Sequence, residues 1–124
     1  MNIPVDLKYT KEHEWAKIDG DIVTVGITDH AQNELGDIVF VEIDTVDETI
    51  DKDATFGTVE AVKTVSDLFM PVSGQIIEKN MDLDDEPELI NKDPYGKGWM
   101  IKIKMSNTDE INDLLDADGY KAII

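Results

Sequence analysis

Phe56-Gly57-Thr58-Val59-Glu60-Ala61-Val62-Lys63-Thr64-Val65-Ser66-Asp67 runs without a break into Leu68-Phe69-Met70-Pro71-Val72-Ser73-Gly74-Gln75-Ile76-Ile77. The first stretch holds two β-favouring segments, rich in branched side chains that suit a pleated, half-buried backbone. They meet at Lys63, with no glycine or proline there to make the turn. A lysine so placed projects its amine from the tip of a hairpin, where a group-attaching enzyme can reach it. Gly57 lies six residues before Lys63 and Gly74 eleven after it. These quasi-symmetric positions are ones where strands bend sharply or approach closely. Glu60 and Asp67 add an acidic neighbour on each side of the lysine.

Strands dominate the rest of the chain. Ile22-Val23-Thr24-Val25-Gly26-Ile27 follows a turn at Asp19-Gly20-Asp21. Ile38-Val39-Phe40-Val41-Glu42-Ile43 is nearly continuous in apolar character, which predicts a strand buried on both faces. Trp99, Ile101, Ile103 and Met105 alternate with Met100, Lys102 and Lys104, the period of a half-buried strand. Short strands at close spacing, with acidic or glycine-bearing turns, predict a small sandwich or barrel. Thr28 or Asp29 caps a short helix through Glu34, with Gln32 as capping-box partner and Gly36 ending it. Asn107 with Glu110 repeats that signature, and Ile111, Leu114 and Leu115 form a stripe that predicts a C-terminal helix stopped by Gly119. Residues 81–95 carry six acidic residues, two prolines and little periodicity between Met81 and Tyr95, and predict a surface loop.

Composition narrows the class. The 124 residues give one domain's worth of chain, 1–124, with 41% hydrophobic content that is ordinary for a folded domain. The formal net charge is −17 and all 11 basic residues are lysines, which argues against nucleic acid and anionic membranes as partners. The same field steers the protein toward basic surfaces on other proteins. Cysteine is absent, so there is no disulfide framework and no thiolate metal site. No signal or transit pattern opens the chain and no apolar run approaches membrane-spanning length, which points to the cytoplasm.

Self-sufficient chemistry is not visible. Asp82-Leu83-Asp84-Asp85-Glu86-Pro87 starts like a calcium loop, but Pro87 and Asp93 stand where an EF-hand needs glycine and glutamate. His13 and His30 are the only histidines and lack metal spacing, so they read as surface or packing residues; no metal site is expected. Nucleophile elbow, phosphate loop and dinucleotide fingerprint are all missing. Gly96-Lys97-Gly98 supplies the turn before Trp99.

The hairpin as a whole resembles the attachment hairpin of lipoyl and biotinyl carrier domains. Beyond it the resemblance becomes specific. Tyr9-Thr10-Lys11-Glu12-His13-Glu14-Trp15, Val25-Gly26-Ile27-Thr28-Asp29-His30-Ala31-Gln32 and Leu35-Gly36-Asp37-Ile38-Val39-Phe40-Val41 are similar to the glycine cleavage system H-protein family. So are Glu60-Ala61-Val62-Lys63 with Ser66-Asp67, Pro71-Val72-Ser73-Gly74 and the run from Pro94 to Ile103. The resemblance implies a mainly β barrel-sandwich hybrid with a short helix in the N-terminal half and a C-terminal helix.

It also implies that Lys63 carries lipoate in amide linkage, the cofactor doing the hard chemistry while the protein supplies placement. The implied partners are a pyridoxal-phosphate glycine decarboxylase, which loads an aminomethyl group, and a tetrahydrofolate-dependent aminomethyltransferase, which removes it. A dihydrolipoamide dehydrogenase reoxidises the cofactor, and lipoate-attaching enzymes install it. On the matching positions, Glu14 and Asp67 face the aminomethyl amine in a surface cleft, or are ordinary exposed carboxylates. Some members of the family have a histidine where Glu34 stands. Biotinyl domains normally flank their lysine with methionines, whereas Val62 and Thr64 flank Lys63; lipoyl domains of 2-oxo-acid dehydrogenases usually place aspartate before it. An H-like protein that mainly donates lipoate or acts as a regulatory scaffold is the alternative within the family.

Overall fold

A computed structural model describes residues 1–124 and contains two antiparallel sheets. In chain order the elements are β1 (Lys8–Tyr9), β2 (Glu14–Asp19), β3 (Ile22–Ile27), α1 (Asp29–Leu35), β4 (Ile38–Glu42), β5 (Thr49–Ile50), β6 (Thr55–Ala61) and β7 (Val65–Phe69). β8 (Gly74–Lys79), α2 (Asp82–Asp85), α3 (Leu89–Lys92), β9 (Ile101–Met105), a 3₁₀ turn (Thr108–Asp113) and α4 (Ala117–Lys121) follow. One sheet has the order β1-β2-β3-β9-β8-β5 and the other β4-β6-β7. The mainly β sandwich expected from the strand pattern is the fold found, and the sheets do not close into a barrel.

Apolar residues at every second position build the core. Val23, Val25 and Ile27 of β3 meet Ile101, Ile103 and Met105 of β9 from one side. Val41, Phe56, Val59 and Leu68 of the small sheet face them from the other. Gly57 and Gly74 are close-approach positions, as their spacing suggests. A Cβ at Gly57 would stand 2.5 Å from the Glu42 carbonyl oxygen, and one at Gly74 would collide with that of Lys104. A smaller cluster of Leu7, Tyr9, Trp15, Ala117 and Tyr120 ties the C-terminus to β1 and β2, with the Tyr9 and Tyr120 rings stacked at 4.8 Å.

Four expectations need correction. The Ile38–Ile43 run is not buried on both faces: Ile38, Val41 and Ile43 are buried while Val39 and Phe40 are exposed. The small sheet lays only one face on the core, so Phe40, like its ladder neighbours Glu60 and Val65, points to solvent, and a register shift between Ile38 and Phe40 leaves Val39 outside as well. Residues 81–95 are not a featureless surface loop, because α2 and α3 drive Leu83 and Ile90 into the core while their acids stay outside. Met100 is fully buried, not on the lysine face, because β9 begins only at Ile101. The C-terminal segment is not one helix ended by Gly119. Asn107 caps a 3₁₀ turn, Leu115 then pairs with Tyr9 as a single β-bridge, and Asp116 caps α4, which contains Gly119. The bridge holds Leu115 extended, so a helix cannot run through it.

No helix is long and apolar enough to cross a membrane.

Candidate functional site

Lys63 is exposed at the three-residue reversal between β6 and β7. Glu60 and Val65 form the last pair of the ladder, and the Ala61 N–H donates to the Thr64 carbonyl at 2.8 Å to close the turn. The Val62 N–H donates to the Asp37 carbonyl at 3.1 Å, pinning the tip to the segment between α1 and β4. That segment is itself clamped. Asn91 accepts from the Ile38 N–H at 2.9 Å, and its amide donates to the Gly36 carbonyl at 2.9 Å and to Gln32 Oε1 at 3.0 Å. A hairpin tip without glycine is therefore positioned by an asparagine far along the chain, in the stretch whose sequence shows no periodicity.

α1 is capped and stopped at two of the residues its sequence predicts, but Gln32 is not a capping-box partner: its amide donates to Asp29 Oδ1 at 2.8 Å. Thr28 caps it by accepting from the Ala31 N–H, and Gly36 ends it at a φ of 79°. The lysine stem lies across this end. A Cβ on Gly36 would stand 3.6 Å from Lys63 Cε and 3.9 Å from Nζ. The chain's two ion pairs, Lys52–Asp53 and Lys102–Glu78, leave the Lys63 amine out.

Beyond that helix end, α1, β7 and the start of β2 enclose a cleft of about 140 Å³. Ile27, Ala31, Leu35, Val59 and Leu68 form its apolar wall. Glu12, Glu14, Glu34 and Asp67 bring four carboxylates to it, with His13 and Ser66. Glu14 and Asp67 are thus brought together, and Glu34 joins them. Glu12 lines the cleft as well, although its position one residue before His13 carries no signal of its own. Asp67 lies two residues down β7 from the turn, paired with Thr58, so it belongs to the cleft more than to the tip.

Glu14 is not an exposed carboxylate, since it is only 2% accessible. It accepts from the Thr10 hydroxyl at 2.6 Å and from the Phe69 N–H at 3.2 Å. Burial pushes its carboxyl up to about 7, against the pull of those two hydrogen bonds, and the charges of Glu12 and Asp53 push the same way. It also reaches a second, larger cleft of about 450 Å³ edged by Tyr9, Phe69, Leu114 and Leu115. The residue before it, His13, is bent into positive φ at 70° and its Nδ1 lies 2.8 Å from the Tyr120 hydroxyl, which is 2.8 Å from the Thr28 hydroxyl. Burial and the adjacent His30 hold the His13 imidazole below its ordinary value. Packing is the role both histidines show, their rings 4.8 Å apart.

A small cleft with four carboxylates and an apolar wall is suited to a primary ammonium on a short apolar stem. An exposed lysine on a clamped tip, beside the helix that lines the cleft, is suited to carry such a stem.

Known proteins are similar to this chain along almost its whole length. The family described as "Glycine cleavage H-protein" matches residues 7–124. A glycine cleavage system H protein of Bacteroides thetaiotaomicron is 59% identical over 124 residues, covering all of this chain and 98% of that one. One from Staphylococcus haemolyticus is 55% identical over the same span. The crystal structure of a glycine cleavage system H protein from Mycobacterium marinum superposes with a TM-score of 0.88 at 44% identity, covering 97% of each chain. The chain belongs to the glycine cleavage H-protein family.

Proposed function

We propose that residues 1–124 form a single lipoyl-carrier domain whose Lys63 bears lipoate in amide linkage, serving glycine cleavage in the cytoplasm. Its partners are a pyridoxal-phosphate glycine decarboxylase, a tetrahydrofolate-dependent aminomethyltransferase, a dihydrolipoamide dehydrogenase and the enzymes that attach lipoate. The observation that carries the proposal is Lys63 itself, exposed on a tip fixed by the Val62–Asp37 hydrogen bond and free of any ion pair. The cofactor, when bound, supplies a disulfide that takes up an aminomethyl group and is later reoxidised by a partner. The chain's own residues place and protect it. The lysine stem gives reach, and acylation removes the charge that would oppose entry into a dry active site.

Glu12, Glu14, Glu34 and Asp67 attract the ammonium end of the arm. Glu14, poised near 7, gives up its proton when a cation enters, because an adjacent positive charge favours the carboxylate. The ion pair that results is shielded from water by Leu35, Val59 and Leu68. Carboxylates held beside an amine on the arm would keep it protonated and so would slow premature loss of the group it belongs to. The chain thus acts as a carrier, with bond making and breaking left to its partners.

The test is carbon dioxide release from glycine by a glycine decarboxylase supplied with the lipoylated chain. Lys63→Arg should give no release above the chain-free background, with an unchanged melting temperature, because an exposed tip contributes little packing. Release by Lys63→Arg at the unsubstituted rate would contradict the proposal.

A further inference from the structure

Ten large hydrophobic side chains are exposed, and four of them gather around one hairpin: Val39 at 46%, Phe40 at 50%, Val62 at 76% and Val65 at 60%. Strand register explains how. Phe40 of β4 pairs with Glu60 of β6, which pairs with Val65 of β7. Ladder partners point to the same face of a sheet, so Phe40, Glu60 and Val65 form one row across all three strands. The neighbouring pairs alternate as they must. Val41 and Val59 point into the core, and Glu42 and Thr58 return to the outer face. The row ends beside the turn that holds Val62 and Lys63, and the register shift in β4 leaves Val39 exposed at its edge.

Nothing in the fold requires an apolar outer row. Polar residues would keep an edge strand and a hairpin tip from pairing with other chains, which is the usual protection of such edges. Scattered exposed valines need no explanation, but contiguous ones beside a single chemical target do. The electrostatic setting is one-sided as well. Asp37 and Glu42 border the row, Glu60 is its middle member, and Lys63 is the only cation on the tip. A surface of this kind, with apolar side chains on either side of a central carboxylate and an acidic border, is complementary to a shallow apolar depression bordered by lysine and arginine.

We infer that the Phe40–Glu60–Val65 row, with Val39 and Val62, is the docking surface for the enzyme that acylates Lys63, a step that rests on the lipoyl assignment above. The chemistry selects this partner over those that act later. In attachment, Lys63 Nζ loses a proton to a base of the enzyme and attacks the carbonyl carbon of an acyl-adenylate. A C–N bond forms, the C–O bond to the phosphate breaks, and the adenylate leaves with the electron pair. The amine itself must therefore come within bonding distance of the enzyme's bound acyl group, which covers the residues flanking Lys63. Enzymes that act on the far end of the arm meet the lysine only through its length, and need not cover the row.

The test uses the full chain, a purified lipoate-attaching enzyme and lipoyl-adenylate, with the site of labelling read by peptide mapping. Phe40→Thr combined with Val65→Thr keeps residues that favour strands while removing the apolar surface. The double variant should lose about tenfold or more in kcat/KM, mainly through KM, as expected for two side chains at the centre of an interface. Its melting temperature, and the enzyme-free acylation of Lys63 by an activated ester, should match those of the unsubstituted chain. Ile77→Thr, an exposed apolar residue on β8, should be acylated at the unsubstituted rate. Enzymatic acylation of the double variant at that same rate would overturn the docking surface and leave Lys63 as the lipoyl site. A loss matched by slower enzyme-free acylation, or by a lower melting temperature, would also overturn it, because the hairpin would then have been distorted. An unsubstituted chain left bare at Lys63 would overturn the lipoyl assignment itself.

Discussion

Glu14 gives the site a pH signature that can be measured without cofactor or partners. Its carboxyl is raised from an ordinary 4.5 to about 7 in the fold, first by burial. Below pH 4.5 the group is protonated in folded and unfolded chains alike and has no effect on the balance between them. Between 4.5 and 7 the unfolded chain releases the proton while the folded chain keeps it, so the native state binds more protons and stability falls as pH rises. Above 7 that loss is complete. A gap of 7 − 4.5 at about 1.4 kcal/mol per pH unit corresponds to roughly 3 kcal/mol. Glu14→Gln removes the titration and fits the same space: its carbonyl can accept from the Phe69 N–H and its amide can donate to the Thr10 hydroxyl. Urea unfolding of the unlipoylated chain and of the variant, from pH 5 to pH 8, isolates the effect, since every other carboxylate cancels in the difference. The variant should gain on the unsubstituted chain by about 2–3 kcal/mol across that interval and level off above it. A difference that stays constant with pH would mean that Glu14 titrates as an ordinary carboxylate, and the idea of a proton released on cation binding would fall with it.

Three further outcomes follow from the same geometry. Substituting Glu14→Gln and Asp67→Asn together should hasten spontaneous loss of the aminomethyl group from the loaded chain several-fold, on the scale of about 1 kcal/mol for partly screened charges; an unchanged release rate with lipoylation intact would remove both residues from the protective role. Asn91→Ala should cost about 1–3 kcal/mol, because it strips partners from the Ile38 N–H and the Gly36 carbonyl, and should speed proteolytic cutting near Lys63; equal cutting in both proteins would show that the tip does not depend on this clamp. With a net charge of −17, loading by the decarboxylase should slow as salt rises and screens the field; steady-state rates indifferent to ionic strength would assign the acidic surface to solubility alone.

Much of this site is legible in the linear chain, for reasons that can be named. Strands that place one face in a core announce themselves by alternation, as Ile101, Ile103 and Met105 do, and the reversal at Lys63 is visible because two such segments meet there. Gly57 and Gly74 are readable because close backbone approach excludes a Cβ. What escaped is what depends on distant partners. The apolar run at Ile38–Ile43 looks buried on both faces, and only the packing of the small sheet shows that one face is left to solvent, with Val39 and Phe40 outside. α2 and α3 are four residues each, too short to display a helical period, so Leu83, Ile90 and the Asn91 clamp look like loop. The burial of Glu14 escaped for the same reason. A glutamate between a histidine and a tryptophan reads as surface until the Thr10 hydroxyl and the Phe69 N–H, 55 residues away, close over it.

The central claim is that one lysine of eleven carries the cofactor. The most direct measurement is intact-mass spectrometry followed by peptide mapping, after the chain is incubated with a lipoate-attaching enzyme and lipoyl-adenylate. A single lipoyl-sized increment should appear, and it should map to the peptide containing Lys63. Label on Lys52 or Lys79 with Lys63 bare would contradict the account.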